Sequence, residues 1–366
     1  MKLDVAGALV DGQIVPGRIE IADGLLTGYG LAGSGKGIAV PGFVDLQVNG
    51  FAGVDFLDAD ADGYRKAAEA LLQTGVTSFV PTLITAPEET LVAALAEVPE
   101  PGTGAPNGSR VLGVHLEGPF LSPWRLGTHP PVGRREPDQA LLERLLEAGP
   151  VRVMTLAPEL PGALDLIDVL VARGVVVSCG HTDASVELAN EAFDRGARTV
   201  THLFNAMRPF MHRDPGIAGA ALARDDVIVQ IIVDGIHLAP QTTELVWKAA
   251  AGRVALVTDA VAAAGCGDGS YSLGTVELSS NKGAVRGPDG ILAGSVLTMI
   301  EAVRNLHALG APLERVLEAA SSVPSRVLGL TDAGRLEVGK PADVVVLDDN
   351  LEVESVFVRG EAHVVA

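Results

Sequence analysis

From about residue 38 to residue 310 the chain alternates between two hydrophobic patterns. Short apolar runs predict buried β-strands at Ile38 to Asn49, Val76 to Leu83, Val111 to Glu117, Val151 to Ala157, Val175 to Cys179, Arg198 to Leu203, Ile228 to Val233 and Val254 to Thr258. Amphipathic stretches that end in Gly or polar residues predict helices at Tyr64 to Gln73, Glu88 to Glu97, Asp138 to Ala148, Ala163 to Arg173, Ser185 to Arg195, Thr242 to Ala251 and Leu297 to Leu309. The weakest helical pattern lies near Ala218 to Ala223. Eight strand–helix units in succession predict an α/β fold, a (β/α)8 TIM-like barrel, whose active site lies at the C-terminal ends of the strands.

The two ends of the chain have a different texture. Ala8-Leu9-Val10 and Arg18-Ile19-Glu20-Ile21 are separated by Asp-Gly turns, and Asp343 to Leu347 and Val353 to Val358 repeat the pattern near the C-terminus. The expected organisation is therefore a small β-sandwich domain built from residues 1–38 and 335–366, flanking a catalytic barrel at 39–334.

Charge and cysteine content narrow the partners. Lys+Arg 27 against Asp+Glu 46 gives a net charge of −19, which disfavours nucleic acid and anionic membrane surfaces. An anionic ligand would need local basic help. Two cysteines, Cys179 and Cys266, do not make a disulfide framework; each reads as a small buried thiol, and both fit a reducing, cytoplasmic setting. The N-terminal residues do not have the pattern of a secretory leader, and no apolar run is long enough to cross a bilayer.

Several strand runs end in His, Asp or Glu: Glu117, His181, His202, His237 and Asp259. In a barrel these ends converge, however far apart they lie in the chain. Any one could be a satisfied polar residue at a strand exit, but five together point to a site. Two imidazoles and a carboxylate, His181, His202 and Glu117, make a three-ligand set that leaves a position open for water on a divalent cation. Such a cation can bring the pKa of its water down to about 7. Asp259 is then placed to take a proton from that water and pass it to a leaving group, the alternative role being a helix N-cap.

The motifs around these residues carry a family resemblance. Pro41-Gly42-Phe43-Val44-Asp45, the barrel pattern, and Gly334 to Asp343 are similar to the amidohydrolase superfamily. HLEGPF, GTH, GHTDA, THLFNAM, RDPG, DGIH, VTDA and LAGSVLTM, in that order, resemble its branch that deacetylates N-acetylglucosamine 6-phosphate. The resemblance implies that Glu117, His181 and His202 hold one divalent metal per subunit, Zn first, with Fe, Mn or Co as alternatives. It implies Asp259 as general base then acid, and His129 as the donor that steadies the oxyanion. Asn205, Ala206, His237 and Arg213 match positions that grip the sugar phosphate, with Arg213 reaching the neighbouring active site of a homodimer. The loop Pro119 to Pro137, rich in Pro and Gly, resembles a lid.

Where many members carry His-x-His for a second metal, this chain has Gln47-Val48-Asn49, expected to support the site instead. The competing readings are an amidohydrolase acting on another amide or on the galactosamine epimer, and a metal-free binding or scaffold barrel.

Overall fold

The computed structural model describes residues 1–103 and 107–364. Its centre is a parallel barrel of β1 (Phe43–Val48), β2 (Val76–Ile84), β3 (Val114–Glu117), β4 (Val151–Leu156), β5 (Val176–Cys179), β6 (Thr199–Val200), β7 (Ile228–Ile231) and β8 (Val254–Leu256). Each pairs in parallel with the next. Closure between β8 and β1 is made just beyond β8, where Val48 bridges Ala260 and the Asp259 N–H donates to the Gln47 carbonyl at 3.0 Å. Helices α1 (Ala61–Leu72), α2 (Glu88–Ala96), α3 (Gln139–Ala148), α4 (Ala163–Ala172), α5 (Val186–Asp194), α6 (Gly216–Ala223), α7 (Pro240–Ala249) and α8 (Met299–Ala308) follow the strands in turn. Asp60, Asp138, Ser185 and Thr298 cap four of them through their side chains.

Period-two geometry divides each strand between two environments. In β1, Val44, Leu46 and Val48 join the apolar core, while Asp45 and Gln47 are buried polar residues. The other strands also bury polar groups that pair with one another. His115 bonds Thr82 and Thr155, Thr155 bonds Thr201 at 2.7 Å, and Thr201 bonds Ser178 at 2.6 Å. Mutual hydrogen bonding makes this polar burial tolerable.

The expected single strand from Ile38 to Asn49 is two strands. Ile38–Pro41 pairs with Gly7–Val10 and Val344–Leu347, in a six-stranded sheet drawn from both termini. That sheet is apolar on both faces: Ala8, Ala39, Val344 and Val346 pack on Ile19, Ile21 and Leu26 of a second, three-stranded sheet, while Leu9, Val40, Val345 and Leu347 join the barrel core. A buried ion pair, Arg110 with Asp343, adds a polar tie between the two units.

Between β8 and α8 lies a four-stranded antiparallel sheet that the strand–helix pattern did not predict: Gly269–Leu273, Val276–Asn281, Ala284–Arg286 and Leu292–Ser295. Two further helices, Leu313–Ala320 and Ser322–Val327, also went unpredicted. Cys179 is buried as expected, but Cys266 is exposed, because it lies in the Gly-flanked turn leading into the inserted sheet. No helix among the described residues is long and apolar enough to cross a membrane.

Candidate metal centre and active site

The polar residues that close or follow the strands, Asn49, Glu117, His181, His202, Asn205, His237 and Asp259, line one cavity of about 310 Å³ together with Ala206 and with His129 from the loop after β3. Glu117 closes β3. His181 and His202 each lie two residues beyond their strands, with φ +49° and +28°, and Asp259 follows β8 with φ +50°. Phe204 and Ala206 share this conformation, which costs non-glycine residues of order 1 kcal/mol or more each. The turn at His202 also explains why β6 stops at Val200 although the apolar run reaches Leu203. The chain bends to present the imidazole, and the Leu203 N–H instead donates to the Gln230 carbonyl at 2.8 Å.

At the cavity's centre Glu117 Oε1 lies 3.0 Å from Nε2 of His181 and 3.0 Å from Nε2 of His202, and the two nitrogens are 3.1 Å apart. His129 is a fourth neighbour, its Nε2 3.7 Å from Glu117 Oε2. Glu117 and His181 therefore belong to two possible three-ligand groups, one completed by His202 and one by His129. Ring hydrogen bonds distinguish them. His181 Nδ1 faces the Arg125 carbonyl at 2.9 Å, so Nδ1 carries the proton and Nε2 is a free lone pair. His129 Nδ1 accepts from the Thr85 N–H at 3.3 Å, so in the neutral ring Nε2 carries the proton and is a donor, not a ligand. His202 Nδ1 is buried with no partner among the described residues.

Asp259 is held from β1. Asn49 Nδ2 donates to its Oδ1 at 2.7 Å and Gln47 Nε2 to the same oxygen at 3.0 Å. Since a carboxylate only accepts, both amides must present their NH₂ groups to it. Below this pair, Asp45 accepts from the Thr258 hydroxyl at 2.6 Å, and the Ser295 hydroxyl donates to the Thr258 carbonyl at 2.6 Å. A Cβ at Gly294, where φ is +63°, would come within 2.7 Å of the Asp259 carbonyl, so glycine is needed for this close approach.

Comparison with known proteins gives the family. The profile of the Amidohydrolase family matches residues 38–363. The chain belongs to the amidohydrolase family. It is 42% identical over 340 residues to the Bos taurus N-acetylglucosamine-6-phosphate deacetylase, covering 88% of this chain and 83% of that one. It is 36% identical to an Escherichia coli O157:H7 N-acetylgalactosamine-6-phosphate deacetylase, covering 96% of each. Among solved structures, a variant of the Mycobacterium smegmatis N-acetyl-D-glucosamine-6-phosphate deacetylase in complex with N-acetyl-D-glucosamine 6-phosphate superimposes with a TM-score of 0.92 at 36% identity, covering 99% and 98% of the two chains.

The donor set of this amidohydrolase suits a divalent metal: one carboxylate oxygen and two imidazole nitrogens meet at one point. Its local field favours positive charge. Burial works to raise the Glu117 pKa, yet the imidazoles of His181 and His202 beside it hold it well below the usual carboxylate range. Burial works to lower His202, and Glu117 outweighs it, raising that imidazole. His129 is pushed down to about 3, by burial first and then by His181, and is neutral. Burial and then the Glu117 charge raise Asp259 to about 6.

Other expected residues divide between cavity and surface. His237 Nδ1 donates to Asp234 at 2.7 Å, which turns its Nε2 toward the cavity. Asn205 is steadied by donating to the His202 carbonyl at 3.1 Å, and the Ala206 carbonyl accepts from the Thr182 N–H. Arg213 is exposed, is not among the residues lining this cavity and has no ion-pair partner among the described residues. The loop expected to be a lid is anchored: Ser122 N–H donates to the His181 carbonyl, and Arg125 pairs with Asp183 at 2.6 Å. It presents Gly127, Thr128 and His129 as a wall.

Sequence reasoning missed the apolar side of the cavity, formed by Ile84, Leu273, Ile291 and Leu292. The last three come from the inserted sheet. Alternation of Tyr271, Leu273, Val276 and Leu278 around Gly274-Thr275 is the hairpin signal that could have found it.

Proposed function

We propose that this chain hydrolyses the acetamide of N-acetyl-D-glucosamine 6-phosphate to D-glucosamine 6-phosphate and acetate. The observation that carries the reading is the convergence of Glu117, His181 and His202 at about 3 Å with Asp259 and His129 in the same cavity. Glu117, His181 and His202 would hold a divalent cation, which would supply Lewis acidity toward the amide carbonyl and a water. Asp259 accepts the proton of the attacking water through Oδ2, its Oδ1 being fixed by Gln47 and Asn49. His129 donates its Nε2–H to the carbonyl oxygen as that oxygen gains negative charge. The C–O bond forms, the C–N bond breaks, and Asp259 passes its proton to the departing nitrogen.

One cation per subunit is the supported stoichiometry, since the amides that stand where a second site would need ligands donate to Asp259 instead. Zn heads the candidates, and Fe, Mn and Co suit the same donors. Two tightly held equivalents in active protein would overturn this.

Asn205, Ala206 and His237 face the sugar phosphate, and Arg213 reaches the site of a second copy in a cytoplasmic homodimer. Exposure of Arg213 beside Phe210 and Met211, themselves 50% and 58% exposed, supports that arrangement. The test is acetate release from N-acetylglucosamine 6-phosphate, its galactosamine epimer and unphosphorylated N-acetylglucosamine. Strong preference for the phosphorylated glucosamine compound is expected. Equal turnover with and without phosphate, or preference for the epimer, would refute the assignment.

The Asp259 environment sets a pH dependence. A base whose pKa is raised to about 6 is lost as pH falls through that value, so kcat/KM should drop about tenfold per unit on the acid side. A nearby cation lowers the pKa, so the limb falls at or below pH 6. Asn49→Ala removes a bond that favours the carboxylate. It should move the limb upward and lower kcat about tenfold, from the order of 1.5 kcal/mol for a charged hydrogen bond, with metal content unchanged. An unmoved limb would show that Asn49 does not hold Asp259.

A further inference from the structure

The cavity has two chemically different kinds of lining. Asn205, Ala206 and His237 line it with polar groups, Ile84, Leu273, Ile291 and Leu292 line it with apolar ones, and Glu117, His181 and His202 line the same cavity. An N-acetylated sugar phosphate is polar except at its acyl methyl group and the C–H faces of its ring. If the carbonyl carbon is at the Glu117–His181–His202 cluster and the phosphate on the polar groups, the apolar groups are left for the acyl chain.

The deepest part of that apolar lining is close to the reacting groups. Ile84, 2% exposed, is the register partner of Glu117 across the β2–β3 pair, and the next residue, Thr85, bonds His129 through its N–H. Against Ile84 rests the tip of the first hairpin of the inserted sheet. Leu273, 4% exposed, lines the cavity, and Gly274 follows at φ +55°. A Cβ on Gly274 would lie 3.8 Å from Ile84 Cδ1 and only 2.7 Å from Leu57 Cδ2, so the tip is seated with no room for a side chain. Asp55 pins it, one carboxylate oxygen accepting from the Gly274 N–H and the other from the Leu57 N–H. Asp55 does not line the cavity.

We propose that Ile84 and Leu273 form the end wall of an acyl pocket that restricts the amide to acetyl size, and that Asp55 is the positioning residue that holds the wall in place. The inference rests on the deacetylase reading and adds to it the selection of the acyl group. Ile291, 45% exposed, lies at the cavity's rim, outside this end wall.

The test compares kcat/KM for the N-acetyl, N-propionyl and N-butyryl forms of glucosamine 6-phosphate in the metal-loaded enzyme. Discrimination of about 10–200-fold per added methylene is expected for the parent, as for a close-fitting apolar pocket. Leu273→Ala and Ile84→Ala should each lower the acetyl-to-butyryl ratio at least about tenfold, and Ile84→Val provides a milder change if either disturbs folding. Asp55→Ala should lower the ratio in the same direction. Since the ratio is taken within one protein, partial loss of fold or metal does not move it. Variants that release acetate with the parental ratio would overturn the acyl wall while leaving the deacetylase reading intact. A parent inactive on all three amides would overturn the deacetylase reading itself, and this inference with it.

Discussion

Asp259→Asn is expected to lower kcat by about 10²–10⁴-fold while fold and metal content stay at parental values. The substitution keeps the shape of the side chain and removes its ability to accept and return a proton. Asn49 and Gln47 both donate to Oδ1, so a carbonyl oxygen in that position can still receive both bonds, with the new NH₂ group in the place of Oδ2. That group would then face the attacking water as a donor, the reverse of what the reaction needs. Glu117 lies close enough to raise the Asp259 pKa, so the variant also removes a repulsion and should be no less stable than the parent. Kinetics, metal analysis and thermal unfolding on one preparation check all three points. Normal turnover would remove Asp259 from the chemistry.

Much of the barrel was legible because its strands are apolar runs bounded by polar exits, and the rule that strand C-termini form the site turned five scattered residues into one cluster. What escaped has physical causes. Asp45 lies inside an apolar run, and nothing local shows that it reaches Thr258 more than two hundred residues away; Gln47 was expected to support the site, but its partner Asp259 was not legible from the pattern. Gly42 separates two strands that belong to different sheets, yet the apolar pattern runs through it without interruption. The inserted sheet is rich in Gly and Ser and exposed along one face, so its short alternation was outweighed by the stronger patterns of β8 and α8. Its absence from the sequence reading hid the apolar side of the cavity. Motif resemblance could supply His129, although its protonated nitrogen depends on the Thr85 N–H, a contact visible only in three dimensions.

That contact separates the two possible ligand sets by experiment. His202→Ala should release the metal and lower activity by more than about 10³-fold, the cost of losing several kcal/mol of Lewis-acid stabilisation. His129→Ala should retain the metal at parental stoichiometry and lose about 10²–10³-fold in kcat, the effect of removing one donor to a developing oxyanion. The difference arises from which ring nitrogen is engaged. His181 donates through Nδ1 to the Arg125 carbonyl, which leaves its Nε2 lone pair for a cation; His129 accepts at Nδ1 from a backbone N–H, which leaves only a protonated Nε2 toward Glu117. For His129 to bind a cation through Nε2 its proton would have to move to Nδ1, where it would face the Thr85 N–H as a second donor. If His129→Ala lost the metal and His202→Ala kept it, the ligand set would be Glu117, His129 and His181, and the oxyanion would need another donor.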